Sequence, residues 1–285
     1  MRAWALALTL GSLPLVQASA GVLDVRVLPA SLHPGDVAVV VVEGAPNARE
    51  LSGTLGGQPL RFFPRGDERA ALVGVDLDAK PGTTVWRIGV IDDGGTSREL
   101  SGRVVTGPRR FPIERLQLPT PMVDLDPEVA RRVESEAAQL QAVLATISPE
   151  RLWRGPFTPP VPGQGHGFGS RRVINGQPRA PHSGLDFAAV RGTPVVASNR
   201  GRVSLTGEFF FAGRFVVLDH GLGLYTLYYH LDRVDAAEGA MVERGDVIGV
   251  VGATGRATGP HLHWAARLGS ARVDPSTLLS VSLGD

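Results

Sequence analysis

Glycine and proline set the tightest limit on what this chain can fold into. It carries 36 glycines and 22 prolines in 285 residues, and they cluster so as to cut the chain into short pieces. Between residues 22 and 106 the separators are His33-Pro34-Gly35-Asp36, Gly56-Gly57, Pro64-Arg65-Gly66-Asp67, Lys80-Pro81-Gly82 and Asp92-Asp93-Gly94-Gly95. Each is turn chemistry: Pro fixes φ, Gly supplies φ > 0, and Asp bonds its own backbone. Segment 22–27 alternates, and 37–42 is a continuous apolar run, β-branched except at Ala38. Segments 51–55, 60–63, 70–77, 83–91 and 99–105 follow. Short strands at roughly ten-residue spacing point to an immunoglobulin-like β-sandwich over residues 21–106. No titratable cluster occurs there, and His33 lies in a turn. A structural or binding role is the expectation for this region.

At this length two domains are expected, and a hydrophobic fraction of 43% supplies enough apolar residues for two cores. Net charge is +1 with both signs mixed along the chain, which argues against a nucleic-acid partner and leaves no basic membrane patch. There is no cysteine. Disulfides, thiolate metal sites and thiol nucleophiles are therefore excluded. At the N-terminus, Arg2 precedes an apolar run from Trp4 to Val16, and Ala18-Ser19-Ala20 is a small-x-small site. Residues 1–20 read as an export signal cleaved after Ala20. No stable membrane span is expected after cleavage, and the mature chain is expected in the periplasm, the cell envelope or outside the cell.

Residues 107–151 break the pattern. A proline-rich linker (Pro108, Pro112, Pro119, Pro121) shows no regular periodicity. Asp126-Pro127-Glu128 then opens a helix, with Asp as N-cap, Pro in the first turn and Glu near the positive end of the dipole. Val129, Val133, Ala137, Leu140, Leu144 and Ile147 form one apolar stripe, and Ser148-Pro149 ends it. From residue 152 strands return, at 194–197, 201–206, 215–219, 224–230, 247–252 and 261–268, in an antiparallel pattern with loops between.

The titratable residues of this second half fall in short strings. In Gly259-Pro260-His261-Leu262-His263-Trp264 a strand puts both histidines on one face and Leu262 and Trp264 on the other. Two such imidazoles can share a metal. Alternatively, one can bind metal while the other does acid–base work, or both can simply lie at the surface. In Pro181-His182-Ser183-Gly184-Leu185-Asp186 an imidazole and a carboxylate stand four apart where Pro and Gly oppose a helix. In a strand-plus-turn setting they can still converge on one ion. In Thr226-Leu227-Tyr228-Tyr229-His230 alternation puts Thr226, Tyr228 and His230 on one face. Two nearby patterns carry no chemistry. The glycines of 248–255 lack the Gly-Lys-Ser/Thr of a phosphate loop. Ser183 lacks the Gly-x-Ser-x-Gly elbow of a serine hydrolase.

Taken in order, Pro-His-Ser-Gly-Leu-Asp-Phe, Gly192-Thr193-Pro194-Val195, Asp219-His220-Gly221-Leu222-Gly223, Tyr228-Tyr229-His230-Leu231, Gly245-Asp246-Val247-Ile248-Gly249, Gly252-Ala253-Thr254-Gly255 and Gly259-Pro260-His261-Leu262-His263 closely resemble the lysostaphin-type (LytM-like) zinc metalloendopeptidases of bacterial peptidoglycan. The resemblance covers about 152–279. It implies that residues 152–285 form an antiparallel β-sheet peptidase domain with a groove, in a mainly β chain. It further implies zinc, one ion per chain, held by His182, Asp186 and His263. His230 and His261 would face the reacting carbonyl and water as a catalytic pair. Peptidoglycan peptides are the implied substrate and a regulatory protein is an implied partner. The segment 163–169 looks like the family's stretch before the first ligand, His166 within it carries no assignment, and His220 reads as structural. Relatives lacking some of the five residues act as non-enzymatic regulators. The alternative is thus a cell-wall-binding or regulatory protein that activates another hydrolase. All five positions are filled here. A further reading keeps the enzyme latent, with the sandwich or the linker over its groove.

Overall fold

The computed structural model describes residues 23–45 and 48–281. The expected export signal, residues 1–20, lies outside them. The chain is mainly β, as the turn spacing predicts. Its N-terminal half forms two sheets. One contains Asp24–Leu28, Val37–Glu43, Glu68–Gly74 and Phe63–Arg65, and the other is built on Glu50–Leu55, Gly82–Ile91 and Ser97–Thr106. Between them lie Ala38, Val40, Val42, Ala71 and Val73 from the first sheet and Leu55, Ile88, Val90 and Val104 from the second.

Strand Val37–Glu43 explains why 37–42 is apolar without alternation. Its even-numbered residues face the second sheet. Its odd-numbered residues Val37, Val39 and Val41 pack instead with Trp153, Phe157, Leu224, Ala266, Leu268 and Val273 of the C-terminal half. A strand buried on both faces has no polar side to show. The two halves therefore share a hydrophobic core. Polar contacts extend it: Asp76 accepts from the Arg272 guanidinium at 2.6 and 3.0 Å, and Arg109 Nη2 meets Asp274 Oδ2 at 2.8 Å.

The C-terminal half is a nine-stranded sheet in which every pairing is antiparallel. Gly184–Ala188, His261–Leu268, Leu224–Val234, Gly213–Asp219 and Gly201–Phe209 lie side by side in that order. Leu262 and Trp264 are fully buried, with Phe187, Leu218 and Tyr228 beside them. That leaves the opposite face of the same strand to His261 and His263.

The intervening segment is more ordered than its composition suggests. Residues 107–125, expected as irregular linker, contain a strand, Ile113–Leu116, which pairs in parallel with Arg171–Ile174 of the C-terminal half. The predicted helix runs Pro127–Ala145, with Asp126 Oδ1 accepting from the N–H groups of Glu128 and Val129. Leu144 is buried against Leu205, Phe215 and Leu227, and Leu140 and Val143 lean on the same cluster. Ile147, placed on the stripe by the sequence, falls beyond the helix end and is exposed. Among the described residues no helix is long and apolar enough to cross a membrane.

Candidate active site

Register brings the site together. Asp186 lies directly opposite His263, and His263 lies directly opposite Tyr229, so three adjacent strands present one row of side chains. His182 enters from the loop before Gly184–Ala188. Its Nε2 is 3.0 Å from Asp186 Oδ1 and 2.9 Å from His263 Nδ1, while His263 Nδ1 is 2.9 Å from Asp186 Oδ1. These three donor atoms lie close enough together to hold one metal ion. The Tyr229 ring stacks on His263 at a centroid distance of 5.4 Å.

Backbone carbonyls fix which nitrogen each ring presents, because a carbonyl can only accept. His182 Nδ1–H donates to the Gly167 carbonyl at 2.9 Å. His230 Nδ1–H donates to the Thr254 carbonyl at 2.9 Å, and His261 Nδ1–H to the Gly259 carbonyl at 2.8 Å. With Nδ1 donating in each ring, Nε2 is the nitrogen presented to the site. The His230 and His261 rings lie 4.7 Å apart, and His261 Nε2 stands 3.8 Å from Asp186 Oδ1.

His230 reaches the site by breaking the strand rule. Simple alternation assigns it to the face of Thr226 and Tyr228. Those hydroxyls instead bond to each other in the core, and Thr226 Oγ1 meets His220 Nε2 at 2.7 Å. At His230 the backbone turns left-handed, with φ of 64°. There Leu224–Val234 also changes neighbour, from His261–Leu268 to Val247–Val251. The kink swings His230 into the cleft beside Tyr229. Strained backbone of this kind persists where the surroundings over-determine it, often at functional positions.

Electrostatics keep the donors in the forms that hold a cation. Burial works to raise the Asp186 pKa, but contacts with the His182 and His263 rings overcome it and hold the group well below the usual carboxylate range. Burial pushes His263 down to about 4 against the pull of Asp186. Burial, with the neighbouring His263 and His261 rings, pushes His230 down to about 3. At neutral pH the Asp186 carboxylate therefore faces an uncharged His263 ring, with an uncharged His230 beside it. The His182 Nε2 lone pair points at a carboxylate oxygen 3.0 Å away. Such a pair repels until a proton or cation enters between the two atoms. Two imidazoles and one carboxylate are a donor set that suits zinc and leaves a position open.

His166 is not brought into the donor cluster. It forms an isolated backbone bridge with Asp186, so that segment 163–169 lies along the edge of the Asp186 strand. His220 is buried and structural, its pKa pushed down to about 4 by burial and its Nδ1 bonded to the Arg200 carbonyl at 2.8 Å.

Two clefts meet at the histidines. The larger, about 290 Å³, runs between the site and the helix residues Val133, Glu136, Ala137 and Leu140. The smaller, about 90 Å³, is walled by Glu114, Leu116 and Leu118 from the segment before the helix. Tyr229, Arg172 and Arg256 line this space although sequence reasoning gave them no role. Tyr229 was adjacent to a selected histidine, and the two arginines had no signal beyond their type.

The site is thus a His-Asp-His donor set, its two histidines buried and its aspartate half-buried, with two further imidazoles on an antiparallel sheet. The profile of peptidase family M23 matches residues 180–275. A solved structure from Pseudomonas aeruginosa, assigned to peptidase M23, is 33% identical with a TM-score of 0.65, over 86% of this chain and 94% of that one. This chain belongs to peptidase family M23. Among curated proteins, the DD-carboxypeptidase/endopeptidase Mpg of Neisseria meningitidis serogroup B is 48% identical over 94 residues, 33% of this chain and 22% of that protein. The peptidoglycan DD-endopeptidase ShyA of Vibrio cholerae is 48% identical over 85 residues, 30% of this chain and 20% of that protein. The matched stretch thus spans about a fifth of these relatives.

Proposed function

We propose that this chain is an exported zinc-dependent endopeptidase that hydrolyses peptide bonds in bacterial peptidoglycan, within a stem peptide or at a cross-link. The observation that carries the reading is the convergence of His182 Nε2, Asp186 Oδ1 and His263 Nδ1 within 3.0 Å of one another, with the Nε2 atoms of His230 and His261 left as acceptors beside them. His182, Asp186 and His263 would hold one zinc ion, which supplies Lewis-acid activation of water and of the scissile carbonyl at neutral pH. His230 and His261 serve as the proton-handling pair. One of the two takes a single proton at Nε2 as water attacks, and that proton passes on to the leaving amine. Their Nδ1 bonds to Thr254 and Gly259 keep the rings aimed through both transfers. Tyr229 backs His263 and limits water on that side. The relative named as a peptidoglycan DD-endopeptidase supports the substrate class, and the small-x-small site at Ala18-Ser19-Ala20 supports export.

The test is metal analysis joined to digestion. Mature chain loaded with one equivalent of zinc is incubated with defined peptidoglycan fragments, and the products are identified by mass. Cleavage of a peptide bond that stops on chelation and returns with zinc is the expected result. A zinc-loaded chain that binds these fragments and cuts none would instead support the regulatory alternative.

A further inference from the structure

Resting on the peptidase reading, we propose that Arg256 is a specificity-determining cation of the cleft: it receives a free carboxylate on the substrate peptide beside the scissile bond. Arg256 lines both clefts. It stands on the loop between Val247–Val251 and His261–Leu268, five residues before His261. Its guanidinium lies over the Phe211 ring, 3.9 Å from the centroid, and its own N–H bonds the Phe211 carbonyl at 3.0 Å.

The acids around this space are already engaged. Glu114 Oε2 accepts from Arg172 at 3.1 Å. Asp186 faces His182, His263 and Arg172. Glu136 is paired with Arg132 and accepts the Phe210 N–H at 2.8 Å. Arg256, by contrast, makes no ion pair with any described residue. Burial, then the like charges of Arg172 and Arg179, lower its pKa. A half-buried guanidinium that shares no ion pair has room for a counter-charge, and a planar fork of donors matches a carboxylate.

The support beneath Arg256 is rigid. Gly255 has φ of 71°, and a Cβ there would stand 2.2 Å from the Gly213 nitrogen. Thr254 Oγ1 accepts from Arg214 N–H at 2.9 Å and donates to the Leu231 carbonyl at 2.7 Å. The loop therefore sits flush on the hairpin tip, and the cation is held ready rather than recruited. Such preorganisation makes a single charged contact discriminating.

The experiment compares two stem-peptide dimers that differ only in whether their carboxylates are free or amidated. With zinc-loaded wild-type chain, kcat/KM for the free form should exceed that for the amidated form by about tenfold or more, chiefly through KM. Arg256→Gln should remove that preference, and Arg256→Lys should restore part of it. Equal rates on both dimers in the wild type, or a preference that survives Arg256→Gln, would overturn the proposal. Binding of the same dimers to zinc-free chain separates the two readings. If neither dimer is cut under any condition, the hydrolytic reading fails. Arg256 is then judged by affinity alone: tighter binding of the free form that disappears in Arg256→Gln upholds it, and equal affinity sinks it.

Discussion

His182 is held at Nδ1 by the Gly167 carbonyl, and Gly167 occupies a position where no side chain fits. Its φ is 93°, and a Cβ would stand 2.8 Å from His182 Nδ1. Gly167→Ala should tilt the ring and weaken zinc binding by about 10–100-fold, the usual cost of losing an outer-shell partner. Titration against a competing chelator measures this, and an unchanged affinity would mean the carbonyl does not orient the ring. The two strand histidines should separate cleanly. His263→Ala removes a donor atom and should abolish both zinc binding and activity. His261→Ala removes a group whose Nε2 is 3.8 Å from Asp186 Oδ1; it should keep zinc and lose about 10²–10⁴-fold in kcat. Near wild-type turnover in His261→Ala would end its catalytic assignment. All five candidate side chains were singled out from the sequence, through the resemblance carried by the order of the short strings that hold them. Their carbonyl partners were not. Every residue has a carbonyl, and only the path of the backbone decides that those of Gly167, Thr254 and Gly259 turn inward. The left-handed His230 was hidden for a related reason, since a non-glycine residue gives no sign of φ > 0.

Strand and helix positions were mostly readable, and the exception lies beside the site. Ile113–Leu116 is four residues long and pairs with Arg171–Ile174, some 58 positions away (171 minus 113). So short a strand has no period to detect, and its partner is set by tertiary structure. The helix was plain from its cap and stripe, but the surface it would cover was not. It docks through Leu144 and through Glu136, whose Oε2 takes the Phe210 N–H and whose residue lines the larger cleft. The helix is thus a rim of the cleft rather than a free spacer. A rim matters little to a short soluble peptide and much to a bulky polymer. Glu136→Ala releases one anchor and should raise cleavage of intact wall sacculi relative to a short stem peptide by several-fold. Dye release from labelled sacculi and chromatography of the peptide give the two rates. An unchanged ratio would show that the helix does not limit access.

The two halves of the molecule are joined by charge at the edge and by apolar surface at the centre, and the two should fail differently. Burial works to raise the Asp76 pKa, but hydrogen bonds from Arg272 and Asp78, with the Arg272 charge, lower it from 3.8 to about 2. A carboxylate depressed on folding stabilises above its unfolded value and loses that contribution as pH falls. The window here is therefore between about 4 and 2. With the side chain 34% exposed, solvent screening limits the effect to about 1 kcal/mol. Asp76→Asn should flatten that part of the pH–stability curve, as followed by thermal melts, and leave the neutral fold intact. The apolar junction is the stronger tie. The run at 37–42 marked a strand without alternation, but its second cover, Trp153 and Phe157 with Leu224, Ala266 and Leu268, comes from segments more than a hundred residues away and could not be read locally. Val39 is 4% exposed and faces that cover, while its neighbours Ala38 and Val40 face the sandwich core. Val39→Asp places an unpaired charge in the junction at a cost on the order of 3–5 kcal/mol, without touching either internal core. The wild-type chain should melt in one cooperative transition. Val39→Asp should melt in two, the sandwich and the catalytic sheet separately, with hydrolysis persisting above the first. A single transition at lower temperature would instead mean that neither half holds its structure without the other.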